Sequence, residues 1–308
     1  MNQLQRFHNM KKILVTGALG YIGTELLYRL SKRTDIEIHA LDNDLLSIQT
    51  RLGFLLRHDN IKFYNVDITN INDLKKIPEV DIIIHLAAVV GYITCNETPE
   101  SAKLTNILGT YNISLLQKPT VFLSTGSVYG EIGSTCDETV MTNPQTLYAE
   151  TKLEGERIIK QTRHTILRPG TAFGLSFKVR HDLLIHTLIQ DALSNNYIKL
   201  YQPESMRSFY TVQKLAELCE YICDNFEKFE NEIVNVGCES GNIKKKEIVD
   251  IISKYHEFEL KIVPGKDLDT RDYNVKYDKL KNLWPDYDEK FQDKIEKIIG
   301  YYRNWKKS

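Results

Sequence analysis

The sequence predicts an α/β fold, a Rossmann-type doubly wound parallel sheet with a smaller C-terminal α/β lobe, on three observations. Through the first half of the chain, short β-branched runs alternate with stretches of helical length and spacing. The first run leads straight into Gly17-Ala18-Leu19-Gly20-Tyr21-Ile22-Gly23, a glycine-punctuated loop opening a helix-like segment. After Gly174 the alternation loosens into mixed short strands and helices. Strict strand and helix alternation specifies a parallel sheet covered on both faces.

Taken in order, residues 13–16, 37–41, 62–65, 81–86 and 121–124 read as strands, and 165–168 as a sixth. Beyond Gly174 come a helix-like segment at 182–193, short strands around Lys199 and Phe209, and helices near Lys244 and Phe291. Cys219 and Cys223 have the spacing of one buried helix face. Pro144, Pro169, Pro203 and Pro264 punctuate loops, and no repeat or low-complexity tract interrupts the chain. The expected organisation is a dinucleotide-binding unit over 1–174 and a lobe over 175–308, partly interleaved with it. A chain of 308 residues is long for one core and suits such a division.

Composition narrows the function classes. Lys and Arg total 40 against 41 Asp and Glu, a net charge of -1, leaving no basic excess to neutralise a nucleic-acid backbone. The most apolar stretch, 80–93, is interrupted by Asp81 and His85 and is too short to cross a bilayer. The first ten residues lack an apolar signal core, so a cytoplasmic protein is expected, with neither nucleic acid nor membrane as partner. Five cysteines without a C-x-x-C pair suggest neither a disulfide framework nor a zinc knuckle. His85, His181 and His186 have no metal-ligand spacing, and no metal is expected.

The glycine loop has the context of a cofactor cradle rather than of an ordinary turn. Gly17 follows a strand, Gly20 stands where backbone must approach a pyrophosphate, and Gly23 falls in a helix packed closely on the sheet. Tyr21 and Ile22 share that loop. Asp42 closes the second strand at about 20 residues' distance, where a carboxylate accepts hydrogen bonds from an adenosine ribose and repels a 2′-phosphate. Asn43 and Asp44 follow with no arginine, which favours NAD over NADP. Asp67 and Ile68, after the third strand, fall beside the adenine by the same topology.

Tyr148 and Lys152 are four residues apart, hence on one helix face. A phenol of pKa ~10 is a poor base at neutral pH, and a neighbouring ammonium with a cationic nicotinamide favours its phenolate. Leu123-Ser124-Thr125-Gly126-Ser127-Val128-Tyr129-Gly130 leaves the fifth strand carrying hydroxyls able to orient a substrate hydroxyl.

Together these residues resemble the extended short-chain dehydrogenase/reductase family, in its nucleotide-sugar epimerase and dehydratase branch. The resemblance spans nearly the whole chain. Its landmarks come in order: the glycine loop, Asp42, Asp67, His85-Leu86-Ala87-Ala88, Asn106 with Gly109-Thr110, the 124–130 segment, Tyr148 with Lys152, and Leu167-Arg168-Pro169-Gly170-Thr171-Ala172-Phe173-Gly174. It implies NAD as cofactor and a nucleotide-diphosphate sugar as substrate, held by the C-terminal lobe. Thr125 would bond the reacting sugar hydroxyl, Tyr148 would move its proton, and Lys152 would hold the nicotinamide ribose. Leu86, Ala87 and Ala88 would lie along the dinucleotide, with Asn106 there or in helix packing only. Ser127 and Thr171 would face the substrate. Arg207, in Arg207-Ser208-Phe209-Tyr210-Thr211-Val212, and Arg271, in Arg271-Asp272-Tyr273, resemble the family's diphosphate-binding arginines, and Arg180 is a third candidate. A surface ion pair is the alternative for either Arg207 or Arg271 alone. The family also suggests a homodimer through helices near 101–116 and 147–161.

Departures from the pattern narrow the chemistry. Gly126 and Ser127 replace the Asp-Glu pair of the 4,6-dehydratases, and Ser127 stands where C3 and C5 epimerases place a cysteine. Oxidation at C4 remains, followed by re-reduction on the other face or release of a keto sugar. The stretch from Arg168 to Arg271 resembles GDP-heptose C4 dehydrogenases as well as UDP-galactose 4-epimerases, with Arg180-x-Asp182-Leu183 and Asp269-x-Arg271-Asp272-Tyr273 tilting toward the former. A reductase of a non-nucleotide carbonyl would not need Arg207 and Arg271. A dinucleotide-sensing regulator would have no use for Tyr148 and Lys152.

Overall fold

The computed structural model describes residues 10–44, 57–132, 134–265 and 274–305. Seven parallel strands form the main sheet: β1 (Lys11–Thr16), β2 (Ile36–Asp42), β3 (Ile61–Asn65), β4 (Ile82–His85), β5 (Thr120–Leu123), β6 (His164–Pro169) and β7 (Glu232–Val236). Their order is β7-β6-β5-β4-β1-β2-β3. Val15 pairs with Ala40 on one side and Ile84 on the other, and all three are fully buried. Such two-sided burial explains why these strands read as apolar runs rather than as alternating ones.

The chain leaves β1 for β2 on one side and later returns to β4 on the other. A crevice therefore opens at the carboxyl ends of β1 and β4, where doubly wound sheets bind ligands.

The helix α1 (Tyr21–Leu30) packs its Leu26, Leu27 and Leu30 against α4 (Val212–Phe229), through Leu215, Leu218, Cys219 and Ile222. Cys219 and Cys223 are both fully buried on α4, as their spacing anticipates. Each such leucine contributes about 1.5–3 kcal/mol by leaving water. Both α4 and β7 come late in the sequence yet build the main sheet, and β7 is a strand that sequence periodicity did not reveal.

The remaining strands are short. Thr171–Phe173 pairs in parallel with Met206–Thr211, which pairs antiparallel with Asn242–Lys244, and Tyr197–Tyr201 pairs with Glu259–Val263. A second core joins them to α3 (Leu184–Asn195), α5 (Lys245–Ser253) and α6 (Phe291–Trp305), through Phe173, Ile189, Phe209, Ile248, Phe291 and Ile295. The helix expected from residue 182 begins at 184, because Leu183 is extended at its N-cap and Asp182 is drawn to Arg180. The helix α2 (Leu147–Ile159) covers β5 and starts at Thr146, whose hydroxyl accepts from Ala149 N at 3.2 Å.

Candidate active site

Every group expected to carry chemistry in the first half lies at the carboxyl end of a strand or on α2, so the topology brings them to one crevice. Gly17, at φ +67°, turns the chain out of β1. A Cβ on it would stand 2.7 Å from Ala87 N, and a Cβ on Gly23 would collide with the Gly17 carbonyl. Only glycine permits this double approach. Gly20, the N-cap of α1, offers that helix no side-chain bond, which suits its first turn to an anion.

Asp42 ties the ends of β1 and β2: its Oδ2 accepts from Leu19 N at 2.8 Å and its Oδ1 from Asp44 N at 3.0 Å. Asp67 accepts from Thr69 N and Oγ1, both at 2.8 Å, and from Asn43 Nδ2 at 3.2 Å. His85 bridges Thr16 Oγ1 at 2.7 Å and Thr110 Oγ1 at 3.0 Å. Burial pushes its pKa down to about 3, so it holds this wall as a neutral ring and is no acid or base at neutral pH. Thr16 Oγ1 in turn accepts from Ala87 N at 3.2 Å.

Asn106 lies behind this wall rather than on it. Its Oδ1 accepts from Val89 N at 2.8 Å, and its Nδ2 donates to Val89 O at 2.9 Å and to Thr151 Oγ1 at 3.0 Å. It thereby fastens the 86–91 loop to α2.

Thr125 leaves β5 with its hydroxyl 3.1 Å from both Ser127 N and Ser127 Oγ. Across from it, α2 presents Tyr148 and Lys152 to the same cleft, which measures about 640 Å³. Lys152 is 3% exposed, with Nζ 4.1 Å above the Phe122 ring. Burial pushes its pKa down to about 7, against the opposing pull of the Glu156 carboxylate. Glu156 itself accepts from Ser124 Oγ at 2.6 Å and pairs with Arg168, both side chains buried. Sequence reasoning did not pick out Glu156 as a functional partner, although its four-residue step from Lys152 on one helix face was visible.

The cleft is lined by Gly17, Gly20, Tyr21, Ile22, Gly23, Asp42, Asp67, Ile68, Leu86, Ala87, Ala88, Thr125, Ser127, Tyr148, Lys152, Thr171 and Arg180, and by Lys178, which the sequence did not single out. Arg180 is braced by Asp182, with Nε to Oδ1 at 2.7 Å. Arg207 lies away from the lining: it is 3% exposed, and its Nη1 donates to Ser205 Oγ at 2.8 Å and Met206 O at 3.3 Å. Arg271 falls outside the described residues.

The model of the NAD dependent epimerase/dehydratase family matches residues 13–237. The chain belongs to this family. A curated relative from Thermodesulfobacterium geofontis, UDP-glucuronate 4-epimerase, is 28% identical over 262 residues, 78% of this chain and 79% of that protein. Among solved structures, a UDP-glucuronic acid 4-epimerase from Bacillus cereus in complex with UDP-glucuronic acid and NAD superposes with a TM-score of 0.80 at 24% identity, covering 96% of this chain and 99% of that one. A UDP-N-acetylglucosamine 4-epimerase from Methanobrevibacter ruminantium gives a TM-score of 0.84 at 20% identity, with the same coverage. These structures share the fold of a seven-stranded sheet with smaller C-terminal sheets.

As a member of the epimerase/dehydratase family, the chain is an NAD-dependent enzyme. Its own geometry fits that cofactor. The glycine cradle would be filled by any Cβ, Asp42 stands at the end of β2, and the cleft runs from one to the other. No helix among the described residues is long and apolar enough to cross a membrane.

Proposed function

We propose that this chain is a 4-epimerase of a nucleotide-diphosphate sugar. The observation that carries the reading is the convergence of Thr125, Tyr148 and Lys152 on one cleft with the glycine cradle, while residues 126 and 127 are glycine and serine.

Bound NAD supplies the hydride acceptor, and the residues do the rest. Gly17, Gly20 and Gly23 let backbone meet the pyrophosphate, and Asp42 takes the adenosine ribose. Thr125 Oγ1 orients the C4 hydroxyl and Tyr148 takes its proton at the phenol oxygen, with the Lys152 ammonium favouring the phenolate. When C4 is reduced again from its other face, the same phenol would give the proton back to the C4 oxygen. Neither Gly126 nor Ser127 can deliver the acid and base that water loss needs, so dehydration is not part of this reading. Arg180, a guanidinium on the cleft wall, takes the substrate's anionic portion. Arg207 would join it only by giving up buried hydrogen bonds, among them those to Ser205 and Met206.

A second reading is favoured by one feature, the Arg180–Asp182 pair in the Arg-x-Asp-Leu segment, which resembles GDP-heptose C4 dehydrogenases. A dehydrogenase releases the keto sugar and leaves reduced nicotinamide behind. Following nicotinamide absorbance while UDP and GDP sugars are added separates the two. The epimerase reading expects product without accumulated NADH, and stoichiometric NADH would replace it with the dehydrogenase.

The partner in the assembly is a second copy of this chain. Leu104, Leu108, Tyr111 and Leu115 are 39% to 51% exposed along one helical face, an apolar stripe that a dimer would cover. The parent chain then scatters as a dimer and Tyr111→Asp as a monomer; a monomeric parent contradicts the dimer, and a dimeric variant contradicts this interface.

A further inference from the structure

The loop over 174–183 carries Lys178, Arg180 and Leu183 into the cleft wall. Its first end is tied to α1. The Tyr21 hydroxyl donates to Gly174 O at 2.6 Å, and Ser176 Oγ donates to Tyr21 O at 2.7 Å. Its second end, next to Arg180, is tied to α6 instead. The His181 ring stacks on Trp305 at 5.5 Å, and its Nδ1 lies 2.9 Å from the Tyr302 hydroxyl. His186 Nδ1 lies 2.9 Å from that same hydroxyl, and Gln190 Nε2 lies 2.8 Å from it.

Gln190 Nε2 donates to the Tyr302 oxygen and also lies 3.0 Å from His181 Nδ1, which sets the direction of the remaining bonds. The Gly174 backbone N–H can only donate, so His186 Nε2, 3.2 Å away, accepts. Burial pushes His186 down to about 4, so its ring is neutral and its single proton sits on Nδ1. That Nδ1–H donates to the Tyr302 oxygen, which is then left to donate its own hydrogen to His181 Nδ1. The relay Gly174, His186, Tyr302, His181 thus closes the loop on itself, from its first backbone N–H to the side chain beside Arg180. Arg180 is close enough to Tyr148 for the two to interact electrostatically.

We propose that Tyr302, remote in sequence from every cleft residue, is a positioning residue for the anionic substrate, acting through His181 to hold Arg180 on the cleft wall. This rests on the nucleotide-sugar reading above. Without the hydroxyl, His181 keeps only the Gln190 amide nitrogen, 3.0 Å from its Nδ1, and the stack on Trp305, so the Arg180 fork is held less firmly.

The test is calorimetric titration of the NAD-loaded protein with UDP-glucuronate. Tyr302→Phe and His181→Leu are each expected to weaken binding about fivefold to tenfold, the scale of one hydrogen bond, with NAD content unchanged. His181→Asn, whose amide oxygen replaces the Nδ1 acceptor, restores binding to within about twofold, and in an Arg180→Ala background Tyr302→Phe adds nothing further. Unchanged affinity in Tyr302→Phe, or full additivity with Arg180→Ala, overturns the positioning role alone. Absence of UDP-sugar binding by the unaltered protein overturns the nucleotide-sugar reading and this role with it.

Discussion

Arg168 grips Glu156 through two bonds, Nε to Oε1 at 2.8 Å and Nη2 to Oε2 at 2.6 Å, with both side chains buried. The pair joins the carboxyl half of β6 to α2 one turn beyond Lys152, and Ser124 Oγ joins β5 to the same carboxylate. The helix that carries Tyr148 and Lys152 is therefore tied to β5 and β6 through this one carboxylate. Arg168→Met leaves that carboxylate buried without its cation and is expected to cost about 3–5 kcal/mol in urea unfolding. A loss below about 1 kcal/mol would show that Glu156 does not depend on it.

Tyr148→Phe removes the proposed proton carrier while keeping the ring. Turnover is expected to fall by roughly 10²-fold or more while NAD content and melting temperature hold. Retained turnover would move the acid/base role to another group.

Asp42 makes a prediction about cofactor choice. Its carboxylate already organises Leu19 and Asp44, and a 2′-phosphate beside it would be repelled. Titration of cofactor-free protein should give tighter binding of NAD than of NADP, and Asp42→Ala should narrow the gap. Preference for NADP in the unaltered protein would contradict this placement.

Lys152 couples function to stability. Its pKa is pushed down to about 7 in the fold, whereas a lysine in the unfolded chain titrates near ~10.4. Between those values the unfolded chain binds the extra proton, so this residue's destabilising effect is full below pH 7 and fades as pH rises toward 10. Lys152→Met is therefore expected to melt higher than the parent at pH 7, with the difference shrinking by pH 10, while turnover is lost. A lower melting temperature at pH 7 would show that the ammonium stabilises the fold.

What the sequence made legible was local. The glycine loop, the four-residue step from Tyr148 to Lys152 and the strand-end Asp42 are each visible within a few neighbours, and the fold brings them to one cleft. What stayed hidden depends on partners far along the chain. Asn106 reads as a cofactor neighbour or as a helix-packing residue, and its bonds to Val89 and Thr151 lie far along the chain from it. Arg207 reads as a phosphate ligand from its flanking residues, but burial against Ser205 turns it from the lining. Strand β7 was missed because Glu232–Val236 is short, edges the sheet and follows a long helix, so no alternation marks it. The Tyr302 relay joins residues more than a hundred positions apart, a distance at which spacing carries no signal.

Gly17→Ala tests the cradle by shape alone. The position has φ +67° and the added methyl meets Ala87 backbone, so the loop must shift. The expected outcome is loss of NAD binding in a protein that still unfolds cooperatively. Full NAD occupancy in that variant would place the pyrophosphate elsewhere.

The most direct measurement is product analysis by mass and by proton NMR after the pure, NAD-loaded protein is incubated with a panel of UDP and GDP sugars. A product of unchanged mass with its C4 configuration inverted is the predicted result. A product lighter by one water would contradict it, since Gly126 and Ser127 provide no acid and base for that loss.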